Sequence, residues 1–92
     1  MYRLKFTSSF KKGYKRIQKR GADMSKLDEV VDKLRQGKSL PERNFDHVLK
    51  GKFAAFRECH ISPDWLLVYL IEDDILTLTL VETGTHADVF KI

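Results

Sequence analysis

Seven apolar residues in a row, WLLVYLI from Trp65 to Ile71, are fenced by Pro63-Asp64 before them and Glu72-Asp73-Asp74 after them. The run is too short for a membrane helix and ends in turn residues on both sides, so it reads as a strand. Trp65, Leu67, Tyr69 and Ile71 fall on one face, and Leu66, Val68 and Leu70 on the other. A strand apolar on both faces belongs in the middle of a sheet, with both faces covered. The neighbours follow from that. Phe53 to Ile61 reads as the preceding strand, and Asp73-Asp74 as a turn into a last strand, Ile75 to Glu82. There Leu76, Leu78 and Leu80 point one way, while Thr77 and Thr79 point the other toward an open concave surface.

The first half of the chain supplies the cover. Tyr2, Leu4 and Phe6 alternate with Arg3 and Lys5, the period of a strand with one face on a core. Thr7, Ser8 and Ser9 offer helix-capping hydroxyls, Phe10, Tyr14 and Ile17 form one helical stripe, and Gly21 is a suitable stop. Ser25 with Asp28 forms a variant capping box for a second helix, whose stripe is Leu27, Val30, Val31 and Leu34 and whose end is Gly37. Lys38 to Lys52 has no clear period and carries Pro41, Asn44 and Gly51, so it is expected to be a long loop. The tail from Thr83 to Ile92 opens on a Thr-Gly-Thr turn, and the pattern leaves the type of its final segment open. The order β-α-α-β-β-β describes an α+β fold, two N-terminal helices packed on a mainly antiparallel sheet.

At 92 residues the chain has room for one domain, 1–92, with one core. Its single cysteine, Cys59, excludes an internal disulfide and suits a reducing, cytoplasmic setting. No apolar run approaches the ~20 residues of a membrane span, and no signal-peptide core follows Arg3 and Lys5. The net charge of +4 is unevenly spread: residues 1–52 hold 15 Lys/Arg against 6 Asp/Glu, and residues 53–92 hold 2 against 7. A field of one sign along the first helix attracts polyanions, nucleic acid ahead of anionic membrane; a solvated helix face is the plainer reading.

Three histidines stand at or beside strand ends: His47 in FDHVLKG, His60 in RECHISPDW and His86 in ETGTHADVF. Singly, each has an ordinary explanation: His60 bonded to its own turn, His47 in solvent, His86 capping a tail. Together, with Asp64 and Arg57 flanking the middle one, they suit RNA cleavage. RNA carries its own nucleophile, the 2′-hydroxyl, and needs a base for that proton, an acid for the leaving 5′-oxygen and cations for the phosphate. Histidine titrates near ~6.5 when unperturbed and serves either proton role. Arg57, Lys50 and Lys52 are the candidate phosphate contacts. Zinc is the competing use of three histidines, but its short ligand spacings are missing, and Cys59 alternates to the strand face opposite His60. No serine lies in a nucleophile elbow. Trp65 is most simply core with a positioning role, while Phe90 is either a clamp on the sheet or a stacking platform for a base.

The three segments FDHVLKG, FRECHISPDWLLVY and ETGTHADVF, in this order, resemble the YafQ branch of the RelE/ParE toxin superfamily, and the likeness runs nearly the whole chain. It implies a RelE-like fold and the toxin of a type II toxin–antitoxin pair. It also implies cleavage of mRNA in the ribosomal A site without a metal or other cofactor. The partners implied are a cognate antitoxin, the 70S ribosome and mRNA; the toxin is expected to be a monomer when free and to oligomerise with its antitoxin. The residues that match the family's functional set are His47, His60, Asp64, Trp65, His86 and Phe90. Side-chain chemistry assigns His86 as the acid and Asp64 or His60 as the base or its orienting group, with His47 and Arg57 on the phosphate. Two alternatives remain: a non-enzymatic gyrase inhibitor of the ParE type, and an RNA- or ribosome-binding module without catalysis.

Overall fold

The structure, a computed structural model, describes residues 1–90; the last two positions of the tail lie outside the described residues. Its elements are β1 (Arg3–Phe6), α1 (Ser8–Lys19), α2 (Met24–Arg35), β2 (His47–Val48), β3 (Arg57–Ser62), β4 (Trp65–Glu72), β5 (Thr77–Gly84) and α3 (His86–Phe90). The strands form one five-stranded sheet in the order β1-β5-β4-β3-β2. β1 runs parallel to β5 and all other pairs are antiparallel. The doubly apolar strand β4 is the middle one, as its composition requires.

Two elements are added to the expected order, and both come from stretches without a clear period. The expected loop from Lys38 to Lys52 contains β2, a two-residue edge strand, and single turns of 3-10 helix at Glu42–Asn44 and Gly51–Phe53. Within the tail, Thr83 and Gly84 end β5 and His86–Phe90 fold into α3. Strand limits shift for the same local reasons. β3 begins at Arg57 instead of Phe53, because Phe53 belongs to the second of those turns. β5 begins at Thr77 instead of Ile75, because Asp73–Ile75 make a turn and Leu76 takes a left-handed φ of 48°. Leu76 is therefore exposed and leaves the stripe continued by Leu78 and Leu80, which are buried. Thr77 is buried as well, so the threonine face is not wholly open.

α1 is capped as its sequence suggests, with the Phe10 amide donating to the Thr7 hydroxyl at 3.0 Å. α2 starts earlier than the Ser25 reading: Asp23 is its cap and accepts from the Ser25 amide at 3.1 Å. Phe10 and Ile17 from α1, and Leu27, Val30 and Leu34 from α2, pack with Cys59, Trp65, Leu67, Tyr69, Leu78 and Leu80 in one hydrophobic cluster on one face of the sheet. α1 lies very close to β5. A Cβ at Gly13 would stand 2.2 Å from the Thr83 carbonyl oxygen, so only glycine permits this approach. Among the described residues no helix is long and apolar enough to cross a membrane.

Candidate active site

Strand register assigns each polar residue to a face. Arg57 pairs with Tyr69 and Cys59 with Leu67, which places both on the helix-covered face. Glu58 pairs with Val68 and His60 with Leu66, and across the edge His47 pairs with Glu58. Those three share the opposite face, partly covered by α3 and the loop around Gly51–Phe53. All three histidines meet there.

The β3–β4 hairpin and the β5–α3 junction form one wall. A register shift between His60 and Ser62 bends the hairpin tip, and Asp64 in its turn reaches across to α3. Its Oδ1 accepts from the backbone N–H of His86 at 3.1 Å and lies 2.6 Å from the His86 Nδ1. A carboxylate can only accept, so Nδ1 carries the proton and Nε2 is left for chemistry. These bonds hold the Asp64 carboxyl below the usual carboxylate range, the ring contact with His86 first and its amide second. The His60 ring meets the His86 ring edge-on at a centroid distance of 5.7 Å, and the Phe90 ring stands 6.5 Å beyond His86.

The other wall comes from the segment before β2. Phe45, at a left-handed φ of 45°, is largely exposed and sets its ring 5.5 Å from that of His60. Asn44, buried beneath it, donates to the His60 carbonyl at 2.7 Å and ties this segment to the end of β3. His47 Nδ1 donates to the Phe45 carbonyl at 2.5 Å. Its Nε2 lies 3.6 Å from Glu58 Oε1, and His60 Nε2 lies 3.9 Å from the same oxygen. Glu58 is thus a buried carboxylate between two imidazoles, and among the described residues its Oε2 has no hydrogen-bond partner. Its two-residue offset from His60 was the available sign of a shared face.

The remaining candidates divide. Phe90 borders a cavity of about 420 Å³ with Phe53, Phe56, Val68 and Lys52. Lys52 sets its ammonium 5.3 Å from the Phe53 ring centroid, and Lys50 is exposed on the same loop. Trp65 is core: only 6% exposed, it donates its indole N–H to the Thr83 hydroxyl at 2.9 Å, and that hydroxyl donates to the Leu66 carbonyl at 2.7 Å. It holds β4 to β5 directly before Gly84 and presents no open ring face. Arg57 is the residue expected beside the phosphate that the fold takes elsewhere. On the helix-covered face its Nε is 3.3 Å from both the Tyr69 hydroxyl and Asp46 Oδ1, and Tyr69 itself bonds Asp46. Those partners, Tyr69 first, raise the guanidinium above its ordinary value. Burial pushes the Cys59 thiol up to about 12, so it is no nucleophile at neutral pH.

A five-stranded mixed sheet with two helices on one face and an imidazole–carboxylate pocket on the other is an α+β architecture of the RelE-like class. The family model described as a bacterial toxin of type II toxin–antitoxin system, YafQ, matches residues 2–91, and the chain belongs to that family. It is 35% identical over 88 residues to the mRNA interferase toxin YafQ of Escherichia coli K12, covering 95% of this chain and 94% of the relative. The solved structure of a metal-bound toxin from Helicobacter pylori superposes with a TM-score of 0.92 at 40% identity, covering 98% of this chain and all of that one (100%). The YafQ chain of the E. coli DinJ–YafQ complex superposes at 0.88 with 34% identity, covering 98% and 99%. Among the described residues of this chain no three His, Cys, Asp or Glu side chains gather as a metal-ligand group.

Proposed function

We propose that this chain, working as one domain in the cytoplasm, is the toxin of a type II toxin–antitoxin pair and an endoribonuclease that cuts mRNA in the ribosomal A site. The observation that carries the reading is the Asp64–His86 pair, 2.6 Å apart, with the ring of His60 5.7 Å from that of His86. Two imidazoles at this separation can stand on either side of one phosphodiester.

In the reaction the 2′-hydroxyl attacks the adjacent phosphorus and the bond to the 5′-oxygen breaks, leaving a 2′,3′-cyclic phosphate and a free 5′-hydroxyl. His60 takes the 2′-proton, with Glu58 to steady the imidazolium. His86 delivers a proton from Nε2 to the leaving oxygen, and Asp64 fixes its ring through Nδ1. Each proton transfer contributes roughly a hundred- to ten-thousand-fold. His47, Lys50 and Lys52 supply cationic contacts to the phosphates; Arg57 is replaced in that role because it lies on the other face. Phe45 and Phe90 offer open ring faces for bases, where stacking is worth roughly 1–3 kcal/mol each. Trp65 acts by holding the strands that carry Asp64 and Gly84. The basic surface of α1 meets ribosomal RNA, and binding weakens as salt rises.

A cognate antitoxin neutralises the chain, in keeping with relatives solved as toxin–antitoxin complexes. Inducing the gene and mapping mRNA 5′ ends by primer extension, wild type beside His86→Ala, tests the reading. Cuts in register with codons that vanish in the variant support it. Growth arrest without new mRNA ends, with gyrase activity lost, assigns the ParE-type alternative. Ribosome binding without any cut assigns a binding module.

A further inference from the structure

The proposed acid sits on α3, a helix of five residues, and so short a helix does not hold itself in water. Its placement is carried largely by Asp88. Thr85 and Asp88 cap each other reciprocally: the Asp88 amide donates to the Thr85 hydroxyl at 3.1 Å, and the Thr85 amide donates to Asp88 Oδ2 at 3.0 Å. The same carboxylate is gripped from another element. Arg20, just past the end of α1, donates to Oδ2 at 2.7 Å and to Oδ1 at 3.4 Å, and Arg16 stands 3.7 Å from Oδ1. The Asp88 side chain is 15% exposed and the Arg20 side chain 48%, so the pair bridges core edge and solvent. Gly84 is shaped to fit it: at a φ of +154° its missing Cβ would fall 2.7 Å from the Asp88 Cβ.

We propose that Asp88 is a positioning residue. Through Arg20 it locks the first turn of α3 to the C-terminal end of α1 and sets where His86 and Phe90 stand relative to His60 and Asp64. The role in cleavage rests on the nuclease reading above; the geometric role does not. A fork-shaped guanidinium on a carboxylate fixes orientation as well as distance, which is what a proton donor at a scissile bond requires. The same bond ties α3 to the end of the basic helix, whose exposed lysines are the proposed contact to ribosomal RNA.

The test uses the purified full chain with Asp88→Ala, Asp88→Asn and Arg20→Gln. Two readouts are taken: single-turnover cleavage of ribosome-bound mRNA, and NMR of the Asp64 carboxyl titration together with contacts between the His60 and His86 ring protons. For Asp88→Ala the expected loss is roughly ten- to a hundred-fold in the chemical rate, with little change in apparent affinity. The His60–His86 contacts should fade, and the Asp64 carboxyl should rise toward its ordinary range, because its two bonds to His86, which hold it down, outweigh the small upward push from the Asp88 charge that the variant removes. Asp88→Asn, which can still accept from Thr85, and Arg20→Gln should each show smaller changes in the same direction. If Asp88→Ala does not fold, these two decide. A folded Asp88→Ala with a wild-type Asp64 titration, intact ring contacts and an unchanged rate overturns the proposal. Absence of cleavage in the wild type overturns the nuclease reading instead, and the NMR readouts still decide the latch.

Discussion

Trp65→Phe separates a core role for this side chain from a base-stacking one. The indole is 6% exposed and its N–H is spent on the Thr83 hydroxyl at 2.9 Å. Phenylalanine removes one buried neutral hydrogen bond, worth about 0.5–1.5 kcal/mol. It also leaves part of the indole volume empty, costing about 1 kcal/mol more. The Thr83 hydroxyl keeps its bond to Leu66, so no orphaned donor adds to the cost. A total of about 2 kcal/mol lowers the melting temperature by roughly 8–16 °C in a domain of this size. Circular dichroism on heating reads this directly. Trp65 is the only tryptophan, so the wild-type emission reports on it alone and should be blue-shifted and poorly quenched by acrylamide. Below the transition, the KM for ribosome-bound mRNA should stay near wild type. An unchanged melting temperature, with readily quenched wild-type emission, would refute the core assignment.

Glu58→Gln removes a buried charge whose second oxygen has no partner among the described residues, so stability should hold or rise while cleavage falls by roughly ten-fold; chemical denaturation beside single-turnover kinetics checks both. Gly13→Ala should destabilise by about 1–3 kcal/mol despite the better helix propensity of alanine, because its Cβ meets a backbone oxygen at 2.2 Å; urea unfolding measures it. The Arg20 bond, then the Thr85 amide, hold the Asp88 carboxyl well below the usual carboxylate range. A depressed carboxyl contributes stability that is fully present above its unfolded value of about 3.9 and is lost as pH falls toward the folded value. The gap in melting temperature between wild type and Asp88→Asn should therefore be widest near neutrality and shrink steadily below about pH 4.

The middle strand could be read from its residues, because an apolar run flanked by turn residues has few other places in a small α+β fold. So could the two helix stripes. The parallel pairing of β1 with β5 could not: Tyr2, Leu4 and Phe6 announce a strand with one greasy face, and nothing local states its neighbour or direction. His47 looked like loop because a two-residue edge strand has no period to detect. Arg57 and Glu58 were readable by the alternation that separated Cys59 from His60. Counting in twos from His60 brings Glu58 to the histidine face and sends Arg57 away from it. α3 is missing from the expected order, because a five-residue helix carries too little apolar stripe to stand out; threonine at 85 and aspartate at 88, in capping-box spacing, are the local signal for it. The convergence of His47, His60 and His86 was legible from the family resemblance and not from periodicity, since it depends on how separate segments are ordered across the sheet.

The most direct test of the account is leaving-group rescue of His86→Ala. Ribosome-bound mRNA carrying a 5′-thio substitution at the scissile bond has a leaving group that departs without a proton. If the Asp64–His86 pair delivers that proton, His86→Ala should cut the ordinary bond roughly a hundred-fold or more slowly and the thio bond at close to the wild-type rate. A His86→Ala variant equally slow on both bonds would contradict it.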